Sequence, residues 1–147
     1  MFSSKEIIFH FIDLAANEGR ALTPIQTLRL LYIANGWHLC FYNKPLLEEP
    51  VVFWRSGPMI KSAYSFLKQF GSSGISISGN QIPFSSNKES IKLINIVWNS
   101  YKYFSGNQLN RIVCLKQSPW QKYFSTKTIG KVIDSDLIRK YYLNKIQ

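Results

Sequence analysis

Thr23-Pro24-Ile25-Gln26 constrains the fold of this 147-residue chain more than any other four residues. A threonine hydroxyl and a glutamine amide at this spacing satisfy each other's backbone N–H groups, and the fixed φ of proline suits the first helical position. The spacing predicts a helix that starts here and ends at Asn43-Lys44-Pro45. Leu28, Leu30, Leu31, Tyr32, Ile33, Ala34, Trp37, Leu39, Cys40 and Phe41 cover more than one of its faces. Such a helix belongs at the centre of a fold, buried on most sides. Gly36 lowers helix propensity in mid-helix, which signals the close approach of a neighbouring backbone.

The rest of the chain reads as shorter elements around that helix. Ser3 and Glu6 have capping-box spacing and open a helix over about residues 5 to 18, with Ile7, Ile8, Phe11, Ile12, Leu14 and Ala15 inward and Gly19 ending it. Val51 to Trp54 is β-branched and aromatic, an edge strand or an extended arm. Gly57-Pro58 is expected to turn the chain into a third helix, with Pro58 in its first turn and Ile60, Ala63, Tyr64 and Leu67 on one face. Residues 71 to 86 suggest a loop or small hairpin around Gly79-Asn80. Ser86 and Glu89 are expected to cap a fourth helix carrying Ile91, Ile94, Val97, Trp98 and Tyr101. Gly106 breaks it, and a fifth helix covers about residues 108 to 116. Ser118-Pro119-Trp120 opens a short helical turn. Ser135 is expected to cap a last helix, with Leu137, Ile138 and Tyr141 on one side and Arg139, Lys140 and Lys145 on the other. The expected fold is mainly α: a compact single-domain bundle of about six helices over residues 1–147, with a small β-hairpin or extended arm.

Several function classes lack their residues. His10 and His38 have no ligand at i+4, so the zinc helix motif is absent. Adjacent Glu48 and Glu49 point to opposite faces of an extended segment and make no paired-carboxylate site. There is no G-x-S-x-G elbow and no Gly-Lys-Ser/Thr phosphate loop. Cys40 and Cys114 are isolated in apolar helical patterns and read as buried thiols. The N-terminal apolar run is interrupted by His10 and Asp13 and reads as neither leader nor span. We expect a cytoplasmic, non-enzymatic protein with no cofactor, no metal and no membrane partner.

Charge fits a solvated basic surface and, as the alternative, an anionic partner. The formal net charge is +10, and residues 86–147 hold 11 Lys and Arg against 3 Asp and Glu. Lys116, Lys122, Lys127, Lys131, Arg139 and Lys140 are candidate anion-binding residues. They are interleaved with Trp120, Tyr123, Phe124, Tyr141 and Tyr142, a composition compatible with phosphate contacts and base stacking by a nucleic-acid-binding phage or regulatory protein. Large aromatics also dominate protein interfaces, and Trp54 beside Arg55 falls in the expected exposed arm. Trp54, Arg55, Lys61 and Tyr64, around Gly57-Pro58, are therefore the candidate partner-binding residues.

From Thr23 to Gly71 the order of elements resembles the Panacea family, the SocA-like antitoxin and phage-associated domain. The residues that carry the resemblance are Thr23-Pro24, Leu30-Leu31-Tyr32, Gly36-Trp37, Pro45-Leu46, Trp54-Arg55, Gly57-Pro58 and Tyr64. Ser118-Pro119-Trp120 resembles the family's Pro-Trp element, and residues 134 to 142 its closing helix. Cys114-Leu115 departs from it, standing where many relatives have a Thr-His pair. The resemblance implies a mainly helical domain that neutralises a cognate protein toxin by direct binding, encoded beside it or in a prophage. It also implies a role as an adaptor delivering the toxin to an AAA+ protease.

Overall fold

The computed structural model describes residues 1–75 and 87–146. The expected turn at Gly79-Asn80 and the cap at Ser86 lie outside them. Among the described residues there are seven α-helices: α1 (Ser4–Asn17), α2 (Pro24–Tyr42), α3 (Lys61–Leu67), α4 (Lys88–Tyr101), α5 (Gly106–Val113), α6 (Pro119–Tyr123) and α7 (Ser135–Lys145). A single 3-10 turn, Lys68–Phe70, extends α3. Two short strands, β1 (Val52–Trp54) and β2 (Gly57–Met59), pair antiparallel. The architecture is mainly α, as the hydrophobic periodicity implied.

Both N-terminal capping boxes form: Ser3 with Glu6 opens α1, and Thr23 with Gln26 opens α2. From Thr27 to Gly36 every residue of α2 is buried, so neighbours close around it. Helices α1, α3, α4, α5 and α7 all pack on it. Asn43 ends it in the left-handed region at φ 53°. The buried Asn35 Oδ1 then accepts the N–H groups of Leu46 and Leu47 at 2.9 and 3.3 Å. That side chain fixes the exit of the chain, where Phe2 pairs with Leu46 and Glu48 through backbone hydrogen bonds.

Several local expectations are corrected. Helix α3 starts at Lys61, not at Gly57-Pro58, because those two residues lie in β2 opposite Trp54 and Phe53. Phe53 directs its own N–H and C=O to Lys131 and Gly130, so Pro58 opposite it needs no N–H for the ladder. Strand β1 is accordingly no edge: the Gly130–Ile133 segment bonds its other side, with Ile133 N–H on the Val51 carbonyl at 2.8 Å. Asn87 caps α4, and Asp134, one residue before Ser135, caps α7. Helix α5 begins at Gly106, under a Ser105–Gln108 capping box, so this glycine starts a helix rather than merely ending one. At Gly36 the close neighbour is a side chain: a Cβ there would lie 2.2 Å from Cε2 of Tyr142. Tyr142, not Tyr141, is the aromatic that α7 buries, at 2% exposure.

Candidate partner-binding site

Three-residue strands in a two-stranded ribbon are marginal by themselves. This hairpin is held from outside. Its turn residues are Arg55 and Ser56, with Trp54 opposite Gly57. Trp120 of α6 donates its indole N–H to the Trp54 carbonyl at 2.7 Å. Arg29 of α2 donates to the carbonyl of Pro58 at 2.5 Å and to that of Ser56 at 3.2 Å. The Cys114 thiol, at the end of α5, is 3.8 Å from the same Ser56 carbonyl. Side chains from three helices thus satisfy alternate carbonyls around the tip.

Arg29 is fully buried, and among the described residues no carboxylate pairs with it. Burial pushes the pKa of its guanidinium down and that of the Cys114 thiol up. Arginine starts so far above neutrality that it remains charged, and the thiol remains protonated and able to donate. Backbone carbonyl dipoles take the place of a counter-ion for Arg29. Gly57, at φ 140°, makes the approach feasible: a Cβ there would meet Cys114 Sγ at 3.0 Å and Arg29 Nη2 at 3.2 Å.

The hairpin presents Trp54, 39% exposed, and Arg55 to solvent. Strand β2 carries the chain from this tip to α3, where Lys61 and Tyr64 are exposed on the first two turns. Tyr64 lines a shallow cleft of about 310 Å³ with Ile25, Leu28 and Lys68. The four candidates therefore occupy two neighbouring features joined by β2, the hairpin tip and the outer face of α3.

The basic candidates are dispersed. Lys122 and Lys140 line one groove between α6 and α7, and the structure adds Lys145 to them. Arg139 and Lys140 both approach Asp136, at 3.8 and 3.1 Å. Lys116 follows α5, Lys127 lies in the turn after α6, and Lys131 pairs its backbone with β1. Of the rings set aside for base stacking, Tyr142 is buried and Trp120 stacks on Phe124 with centroids 4.7 Å apart.

Arg29 and Asn35 went unread in the sequence. Each is a polar residue inside the most apolar helix, where burial obliges it to find partners. That mismatch was the available signal. His38 shows the same logic, bonding the Lys44 carbonyl and Ser90 Oγ. Among the described residues no group of three or more His, Cys, Asp or Glu could hold a metal ion.

The family model for antitoxin SocA-like, Panacea domain, matches residues 28–121. The chain belongs to this family. No curated protein and no solved structure matches it. The Panacea match runs from the buried turns of α2 into α6, so it contains Arg29, the hairpin, Cys114 and Trp120. A toxin–antitoxin-related role and a toxin as partner come with the Panacea family. No helix of the described residues is long and apolar enough to cross a membrane.

Proposed function

We propose that the protein neutralises a cognate protein toxin by direct contact, through Trp54 and Arg55 at the hairpin tip and Lys61 and Tyr64 on α3. The observation that carries this reading is the hairpin itself. An exposed tryptophan and arginine, the residue types enriched in interface hot spots, sit on a turn whose carbonyls are clamped by Arg29, Cys114 and Trp120. A turn so held has an ordered backbone before binding and loses less entropy when it binds. The whole chain, residues 1–147, acts as one domain in this reading, without catalysis. Bound toxin on this face leaves the rest of the surface free, which suits a second role as adaptor to an AAA+ protease, and a prophage setting fits both.

The test is co-expression with the protein encoded by the adjacent gene. We expect that protein to be toxic alone and harmless beside this one, and we expect Trp54→Ala with Arg55→Ala to abolish rescue while the melting curve is retained. Full rescue by the folded double variant would remove this surface from the reading.

A further inference from the structure

We infer that the groove between α6 and α7 is a second binding site, one that takes a short acidic segment of a polypeptide. The groove measures about 670 Å³ and is walled by Lys122, Lys140 and Lys145, a size that falls in the ordinary range of ligand clefts. Pro119 and Leu137 give it apolar lining, and Gln117 and Asn144 line it too. Lysines supply attraction for carboxylates, the amides can donate to and accept from a peptide backbone, and the apolar lining suits interspersed apolar side chains.

The lysines are pre-positioned. The Lys145 ammonium lies 4.9 Å from the centroid of Tyr141, and that of Lys122 lies 5.6 Å from the centroid of Tyr123. Neither lysine is in an ion pair among the described residues, so both charges are available to a ligand.

The same geometry argues against a nucleic acid as the occupant. One face of each groove tyrosine is covered by an ammonium group, which leaves less ring for base stacking. A strand with a phosphate at every residue needs a continuous basic track. Here Lys116, Lys127 and Lys131 lie outside the groove. Gln117 and Pro119 of the groove lie inside the Panacea match, and the lining residues from Lys122 onward lie beyond it. The groove uses a different face of α6 from Trp120, which supports the hairpin, so the site stands independently of the proposed toxin contact.

Fluorescence anisotropy with a fluorescein-labelled hexapeptide of alternating glutamate and leucine tests this on the intact protein, beside a labelled single-stranded thymidine oligonucleotide of similar charge. We expect saturable peptide binding that weakens about tenfold or more in Lys122→Glu with Lys145→Glu, and changes less than about twofold in the charge-matched Lys116→Glu with Lys127→Glu. All four lysines are exposed, so both variants should fold; if the first does not, Lys122→Gln with Lys145→Gln replaces it. Three results overturn the site: no peptide binding, equal weakening by the two variants, or tighter binding of the oligonucleotide with the same dependence on Lys122 and Lys145. Trp54→Ala with Arg55→Ala should leave peptide binding unchanged, so failure of the toxin surface and failure of the groove are separately visible.

Discussion

The guanidinium of Arg29 donates to the carbonyl of Pro58 at 2.5 Å, tying the buried centre of α2 to the strand that leads away from the hairpin tip. One charged side chain inside the core thereby sets the position of an exposed turn. Arg29→Met keeps most of the volume and removes the donors, leaving the Pro58 carbonyl without its partner and the Ser56 carbonyl with only the Cys114 thiol. We expect a loss of about 2–4 kcal/mol, since bonds to a charged group are worth more than neutral ones and orphaned buried acceptors add a desolvation cost. Amide exchange should rise most at residues 52–59, and a uniform rise across α1 and α4 would show that Arg29 serves the whole core instead.

Trp120 holds the other side of the tip. Trp120→Phe removes the indole N–H bonded to the Trp54 carbonyl while keeping an aromatic ring against Phe124. Stability should fall by only about 1 kcal/mol. Toxin affinity should fall more than that loss of stability alone implies, because the tip is then less ordered before binding. Titration calorimetry with the purified toxin, compared with a urea melt, separates the two quantities.

Gly36 and Tyr142 make a close contact between α2 and α7. Alanine is favoured over glycine in a helix by about 1 kcal/mol. Overpacking a closed site costs roughly 1–3 kcal/mol, and here the new Cβ would fall 2.2 Å from a ring that is itself buried and packed edge-on against Trp37. The second effect should win. We expect Gly36→Ala to lower stability, and Tyr142→Leu added to it to recover part of the loss, a coupling that a double-mutant cycle reads directly.

His38 makes stability depend on pH. Its Nδ1–H donates to the Lys44 carbonyl at 2.6 Å, and in the neutral ring Nε2 accepts from Ser90 Oγ at 2.8 Å. Burial lowers its pKa below the ordinary 6.5. The unfolded chain then binds the proton more tightly, and stability must rise with pH between the two values. We expect the urea midpoint to be level above about pH 7 and to fall as the pH drops through about 6.5. In His38→Gln that fall should be smaller, and an identical fall would assign the pH dependence to other groups.

Much of this fold was legible in the sequence where the signal is local. The capping boxes at Ser3 and Thr23 and the short helix after Ser118 depend on neighbours within four residues, and they stand where the spacing put them. Two caps were ambiguous locally: Asp134 serves α7 as well as Ser135 could, and Asn87 serves α4. Proline at position 58 suits a helix start and a strand position without a ladder bond equally, so its assignment waited on Phe53, which pairs across the turn. Trp54 and Arg55 could be seen as an exposed pair, but their support could not, because Arg29, Cys114 and Trp120 come from three helices far apart in sequence.

The amino-acid sequence by itself determined the helical class, the central place of α2 and the family, since periodicity, capping and motif order are properties of short stretches. Only the tertiary structure decided what buried Arg29 is for, which ring fills the space at Gly36, and which of the many lysines share a groove. Those depend on contacts between residues tens of positions apart, where side-chain volume and unsatisfied polar groups, not local propensity, select the arrangement.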